Sequence, residues 1–281
     1  ITKPFMQYIF TSFVPAGRLH HIVSLQTLLH HPFLVHTIHI TIFSSGFTLL
    51  QCIELEYMNL LAIETSSDIG SVALKIEDEV DQRFIDDPKQ QTKVIIPLIE
   101  EMLISRKVSL HDLDGIAFGM GPGSFTGIRV ATAISQGFGY SASIPLLPVS
   151  SLVALAQGYS DRMLKGNALV CIDAKMGEVF WGMYKIYGGI ACPLLEEGLI
   201  KPSDISPVGD NDCIYLGNAF EVYKDLLNHI VKDINKVYVD ARPNAKNLLP
   251  KAILDLEEGL ESNSDDIVPN YFRDSSAWIN N

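Results

Sequence analysis

The chain has 281 residues, of which 47% are hydrophobic and 19% charged, so it can build a sizeable core. Its formal net charge of −12 argues against autonomous binding of nucleic acid, because a polyphosphate surface would repel it on average. Four well-separated cysteines (Cys52, Cys171, Cys192, Cys213) form no Cys-x-x-Cys pair and read as ordinary reduced thiols of a cytoplasmic protein, not as a disulfide framework.

Residues 1–57 differ from the rest. Their only charges are Lys3, Arg18, Glu54 and Glu56, yet they hold His20, His21, His30, His31, His36 and His39. The uncharged stretch from Phe33 to Ile53 invites a membrane-anchor reading, but His36, His39, Ser44, Ser45 and Gly46 dilute it below what a span wants. A secretory signal lacks its usual sequence of basic, apolar and small-residue regions. The histidines match no metal-binding spacing. The favoured reading is an atypical extension outside the working domain, with that domain starting at Met58 and having no membrane association.

From Met58 the pattern becomes that of an α/β protein. Asn59 to Glu64 predicts a buried strand, Thr65 to Gly70 a polar turn, and Ser71 to Ile76 a returning strand. Lys89 to Arg106 predicts a helix with a wide apolar face of Val94, Ile95, Leu98, Ile99, Met102 and Leu103, with Pro97 inside it. Leu113 to Met120 predicts a strand that runs into Gly119-Met-Gly-Pro-Gly-Ser-Phe-Thr-Gly-Ile-Arg129. A strand, a glycine turn and a helix start can aim unpaired N–H groups at an anion. Thr65, Ser66, Gly121, Gly123, Ser124, Thr126 and Arg129 are therefore the candidate anion or nucleotide residues. The loop is neither a Walker loop nor a Gly-x-Gly-x-x-Gly fingerprint, and a purely structural turn is the competing reading. Ser124 or Thr126 can cap the following helix, Thr126 to Tyr140. Along that helix Gly127, Ala131, Ser135 and Gly139 draw a seam of small side chains, suited either to the protein's own sheet or to a partner helix.

A second block repeats the opening, with a strand from Asn167 to Asp173 and its return from Glu178 to Tyr187. Short strands are expected at Ile214 to Leu216 and Lys236 to Val239, and helices at Ala219 to Val231 and Ala245 to Glu258. Gly259 to Asp266 reads as polar and mobile, and Val268 to Trp278 closes the chain. Two such blocks imply two α/β lobes, residues 58–163 and 164–281, the second with a C-terminal segment returning toward the first. Residues that could do chemistry are scarce: no metal-ligand motif, no Gly-x-Ser-x-Gly elbow and no Cys–His pair. Glu64 and Asp173 at strand ends read as solvated turn carboxylates. No catalytic or metal-binding residue is assigned.

Leu61-Ala-Ile-Glu-Thr-Ser66, the Lys93 to Leu103 helix with Ile95-Ile-Pro-Leu98, and Gly121-Pro-Gly-Ser-Phe-Thr-Gly-Ile-Arg129 together resemble the TsaB (YeaZ) family. Asp173-Ala-Lys-Met-Gly-Glu-Val-Phe-Trp181 and Pro269-Asn-Tyr-Phe-Arg273 resemble two further family segments. Two departures stand out: Glu64, where the family usually has aspartate, and Gln91, near a common His-Ser start to the first helix. The resemblance implies an α/β, two-lobed actin-like/Hsp70-like (ASKHA) fold, each lobe a mixed sheet with flanking helices. It implies a non-catalytic subunit of the tRNA N6-threonylcarbamoyladenosine machinery, supporting a TsaD-type subunit together with a TsaE-type ATPase. It places the partner contact, or a homodimer when the chain is alone, on the two first-lobe helices, here with Val94, Ile95, Leu98, Met102, Gly127, Ala131, Ser135 and Gly139. tRNA would be met only through the complex, and ATP or ADP is conceivable at its interface. The competing reading is an enzyme, either an ASKHA phosphotransferase or a glycoprotease-like hydrolase.

Overall fold

A computed structural model describes residues 58–162, 165–206 and 212–263, together with the backbone of four strands in the first 57 residues. The chain divides into two compact units, residues 1–57 and 58–281. In the first unit β1 (Phe5–Thr11), β2 (His21–Leu28), β3 (Val35–Ile42) and β4 (Thr48–Cys52) pair in sequence order as an antiparallel sheet. The side chains of the Phe33 to Ile53 stretch lie outside the described residues, as does the Pro269 to Arg273 motif. No helix among the described residues is long and apolar enough to cross a membrane.

The second unit is built on two sheets of one plan. In the first, β5 (Leu60–Glu64), β6 (Gly70–Ile76) and β7 (Glu79–Ile85) form an antiparallel triple. Then β8 (Gly115–Gly119) and β9 (Leu146–Val149) add in parallel, giving the order β7-β6-β5-β8-β9. In the second, β10 (Lys165–Lys175), β11 (Glu178–Tyr187) and β12 (Ile190–Pro193) are the antiparallel triple, with β13 (Gly198–Ile200) also on β11. There β14 (Cys213–Leu216) and β15 (Val237–Tyr238) are the parallel additions.

The period of two explains where the layers form. In β5, Leu60 and Ala62 face one cluster while Leu61 and Ile63 face another, and all four are fully buried. The Leu61 side packs against α1 (Gln91–Arg106) and α2 (Phe125–Ala142) through Ile95, Ile99, Met102 and Ala131. The Leu60 side meets α3 (Ser151–Gln157) and, after the short helical turns α4 (Ala219–Val222) and α5 (Lys224–Leu227), α6 (Leu249–Glu257) with the 3₁₀ turn Ala245–Leu248 before it. Those helices also bury Val170, Tyr184 and Leu216 of the second sheet, so one core joins both.

Four expectations need correction. α1 begins at Gln91 and not at Lys89, and it includes Pro97. The single helix expected over Ala219 to Val231 is broken at Tyr223 (φ −115°, ψ 35°) into α4 and α5. Ser262, expected in a mobile stretch, pairs its backbone in both directions with Leu146 of β9. Finally, β7, β9, α3, β12 and β13 went unread: they are short or, like β7, half exposed, so their periodicity is weak.

The outer core of the second sheet is pinned by Tyr215, whose hydroxyl donates to the Ile230 carbonyl (3.0 Å) and accepts from the Lys232 N–H (3.1 Å). Tyr215→Phe keeps the ring and deletes both bonds. The expected result is a loss of about 1–3 kcal/mol in urea unfolding, because the Ile230 carbonyl loses its buried donor. A parental midpoint would show that this anchor is idle.

Candidate functional site

The loop after β8 is shaped by its contact with the β5–β6 turn. The Ser124 N–H donates to the Ser66 carbonyl (2.7 Å), and the Thr65 hydroxyl donates to the Gly127 carbonyl (2.7 Å). Ser124 caps α2 by accepting from the Gly127 N–H (3.3 Å). A Cβ on Gly127 would stand 1.7 Å from the Thr65 carbonyl oxygen, and one on Gly123 2.4 Å from that of Ser66. At Gly119 it would fall 2.1 Å from Oε2 of Glu64. These glycines therefore let two backbone segments and one carboxylate lie against each other.

Beside this seam a cleft of about 570 Å³ opens between the two sheets. Ser66, Gly123, Ser124 and Thr126 line it from the first sheet's side, and Asp173, Asn218 and Arg242 from the second's. Three of the candidate anion residues do not line it. Thr65 is buried with its hydroxyl spent on α2. Gly121 is buried, its carbonyl accepting from the Ser151 N–H (2.8 Å). Arg129 stacks on the outside of α2, its guanidinium carbon 3.7 Å from the Phe125 ring centroid.

The two carboxylates at the cleft are each held by a cation. Asp68 takes a two-point contact from Arg242 (Nε–Oδ1 2.8 Å, Nη2–Oδ2 3.3 Å), and that guanidinium holds its carboxyl below the usual range. Asp173 is opposed by burial, but the Lys175 ammonium (2.6 Å) and N–H (2.8 Å) and the Tyr223 hydroxyl (2.9 Å) outweigh it and keep the group acidic. Asp173 is thus not a solvated turn carboxylate; its side chain is 4% exposed.

Glu64 departs further from that expectation, being fully buried. It accepts from the Ser66 N–H (2.6 Å) and from the Ser151 hydroxyl (2.9 Å). Burial pushes its carboxyl up, and these donors offset only part of the rise. The neighbouring Ser150 hydroxyl lies 2.6 and 2.7 Å from the two oxygens of Glu197, and Tyr184 donates to the same carboxylate at 2.5 Å. Burial also raises Glu197. Ser150 caps α3, accepting from Leu152 and Val153. Sequence reasoning missed this pair of serines, although a serine before an apolar run is a helix-start signal.

Gln91 is likewise structural. Its side chain is buried and donates to the Ser67 and Asp68 carbonyls (3.3 and 3.2 Å), tying the start of α1 to the β5–β6 turn.

The expected partner face also changes. Ile95 and Met102 are buried in the first-sheet core. Gly127, Ala131, Ser135 and Gly139 are buried too, with Gly139 against the Leu146 side chain and the Ile144 carbonyl. The small-residue seam thus serves the chain's own sheet, and a bulky residue at Ala131 or Ser135 would strike the fold before any partner. Val94 stays exposed and Leu98 half-buried. Half-buried Val130, Ile134 and Phe138 lie on the flank of α2 beside exposed Gly137. Among the described residues no group of three or more His, Cys, Asp or Glu could hold a metal ion.

The family model for TsaD, tRNA N6-adenosine threonylcarbamoyltransferase, matches residues 88–281. The tRNA threonylcarbamoyladenosine biosynthesis protein TsaB of Escherichia coli is 32% identical over 228 residues, covering 79% of this chain and 97% of its own length. Its Haemophilus influenzae counterpart is 30% identical over 237 residues, covering 80% and 97%. YeaZ from Pseudomonas aeruginosa superposes with a TM-score of 0.70 at 28% identity over 76% of this chain and 99% of its own. The two repeated mixed sheets with their flanking helices are thereby an actin-like, ASKHA-type fold. Shared sequence over nearly the full length of these relatives, and shared architecture, place this chain in the TsaB family of tRNA threonylcarbamoyladenosine biosynthesis proteins.

Proposed function

We propose that residues 58–281, with lobes at 58–163 and 164–281, act as a non-catalytic subunit of tRNA N6-threonylcarbamoyladenosine synthesis. The chain supports a TsaD-type subunit that carries out threonylcarbamoyl transfer, with a TsaE-type ATPase joining them. The observation that carries the reading is the state of the cleft in a TsaB-family chain: Asp68 and Asp173 are each engaged by a cation of the chain itself. Both carboxylates are held in their ionised form by these contacts, and the likeness to TsaB proteins over nearly their full length supplies the role.

The partner surface is the solvent-facing flank of the two first-lobe helices, not their buried stripe. Val94 and Leu98 of α1, with Val130, Ile134 and Phe138 of α2, offer half-exposed apolar area. The TsaD-type subunit takes this surface, a second copy takes it when the chain is alone, and tRNA is met through the complex.

Reconstitution with a TsaD-type protein, a TsaE-type protein and tRNA tests the role. Synthesis is expected to fall to background without this chain; full synthesis in its absence would refute the proposal. Ile134→Glu is expected to weaken association with the TsaD-type protein at least tenfold, since a charge at an apolar contact is costly to desolvate. Its melting temperature should stay near parental because Ile134 is half-exposed. Unchanged association would move the contact to another face.

A further inference from the structure

On the other side of Arg242 and Pro243, which border the cleft as well, a cavity of about 420 Å³ lies where β7, the end of α3 and the 240–247 connector meet. Its wall includes Phe84, Tyr159, Arg162 and Asn244, with two carboxylates, Asp86 and Asp240.

Arg162 dominates it. The guanidinium carbon sits 4.7 Å from the Tyr159 ring centroid and 4.9 Å from that of Tyr238, and the two rings are themselves 4.9 Å apart. Aromatic faces hold a guanidinium by cation–π attraction and orient its plane without using its N–H groups. Among the described residues, Arg162 has no carboxylate partner. The neighbouring Arg242 differs, being committed to Asp68 and to the Asp240 carbonyl (3.0 Å). Arg162 is therefore a braced fork of donors with room in front of it, an arrangement that matches a phosphate or carboxylate.

The rest of the wall narrows the choice. Asn247 is a wall residue whose Nδ2 is buried over Gly158, where a Cβ would come within 2.4 Å of it, so that this nitrogen packs against the backbone and does not face the open space. Asn244 stands before the 3₁₀ turn without capping it. Side-chain amides, which pair a donor with an acceptor, match the edges of nucleobases. Phe84 is 55% exposed although it lies on a strand, and so offers a ring for stacking. Asp240, its carboxylate 94% exposed, and Asp86 would both repel a bare phosphate, which leaves the phosphate to the Arg162 side, while a carboxylate suits the hydroxyls of a ribose. A cavity of this size is roughly that of small-ligand sites, about 300–1,000 Å³, and an amino acid alone would underfill it.

We propose that this cavity binds a ribonucleotide unit, with its phosphate on Arg162, its base on Phe84 and the Asn244 amide, and its ribose toward Asp240. The unit could be a free ribonucleoside monophosphate or one nucleotide of an RNA strand. The site does not depend on the subunit role proposed above.

The test is calorimetric titration of the full chain with each of the four ribonucleoside monophosphates, with the matching deoxyribonucleotides, and with five-residue oligoribonucleotides. At least one ribonucleotide probe is expected to bind saturably, its deoxy counterpart several-fold more weakly. Arg162→Gln should weaken binding at least tenfold, and Arg162→Lys, which keeps the charge without the planar fork, by less. Both variants should melt with the parent, since Arg162 is exposed. Binding of monophosphates identifies a free nucleotide as the ligand; binding of oligoribonucleotides alone identifies an RNA strand. No binding of either class up to millimolar concentration, or binding that Arg162→Gln leaves unchanged, overturns the proposal.

Discussion

Gly127→Ala should unfold this protein at a much lower urea concentration than the parent, with an expected loss of about 3 kcal/mol or more. Overpacking typically costs about 1–3 kcal/mol when side chains can give way. Here the added carbon would meet the Thr65 carbonyl oxygen at 1.7 Å, and that oxygen belongs to backbone held by β5. Either α2 must lift off the first sheet or the β5–β6 turn must move, and both break the Thr65–Gly127 hydrogen bond. Helix propensity pulls the other way, since alanine is favoured over glycine by about 1 kcal/mol in a helix interior. A stabilised variant would therefore show that propensity wins and that the contact is soft. Gly137 is the internal comparison: a Cβ there meets nothing within 4 Å, so Gly137→Ala should be neutral or stabilising.

The second large effect concerns Glu64. Glu64→Ala removes the acceptor of the Ser66 N–H and the Ser151 hydroxyl, both buried, and an unmet buried donor costs about 1–3 kcal/mol. A combined loss of roughly 3 kcal/mol or more is expected in denaturant unfolding, from these two donors and the space left behind. Glu64→Gln has a different signature. Burial raises the folded-state pKa of Glu64 above its ordinary value of 4.5, so the folded state holds this proton more tightly than the unfolded chain does. The stability associated with that proton is complete below the unfolded pKa and is lost as pH rises through the folded one. Glutamine carries no such titration. The difference in stability between Glu64→Gln and the parent should therefore shift in favour of the variant as pH is raised from 4 to neutrality. A difference that stays constant with pH would mean that Glu64 titrates normally. The parent keeps a second source of slope in Glu197, which is raised in the same sense.

The strands and helices that were legible in the sequence are those with strong periodicity and burial: β5, β6, α1, β8, α2 and the β10–β11 hairpin. Each lies inside a core layer, where alternation or a helical stripe leaves a clear mark. The glycine loop was also recognisable. Its physical cause was not, because Gly119, Gly123 and Gly127 answer to Glu64, Ser66 and Thr65, about 55–62 residues earlier in the chain. The same limit applies to the small residues of α2: a seam for one's own sheet and a seam for a partner read alike until the sheet is in place. Glu64 reads as an ordinary strand-end acid, since nothing local announces a serine at position 151 waiting for it. Arg162 had no motif around it, and its setting depends on Tyr159 and Tyr238, the latter far along the chain.

The adjacent serines at the start of α3 have a mechanical consequence. Ser151 grips a carboxylate on the first sheet and Ser150 one beside the second, while the helix that they begin is packed into the core shared by both. Any rocking of one half against the other must turn about this dipeptide or tear one of its grips. The dipeptide is thus a staple between the first sheet and the segment beside the second, and parting them there would strip one buried and one half-buried carboxylate of their hydroxyl donors at once. Native-state exchange should find the first amides of α3 among the slowest in the protein, opening only when the two halves come apart together.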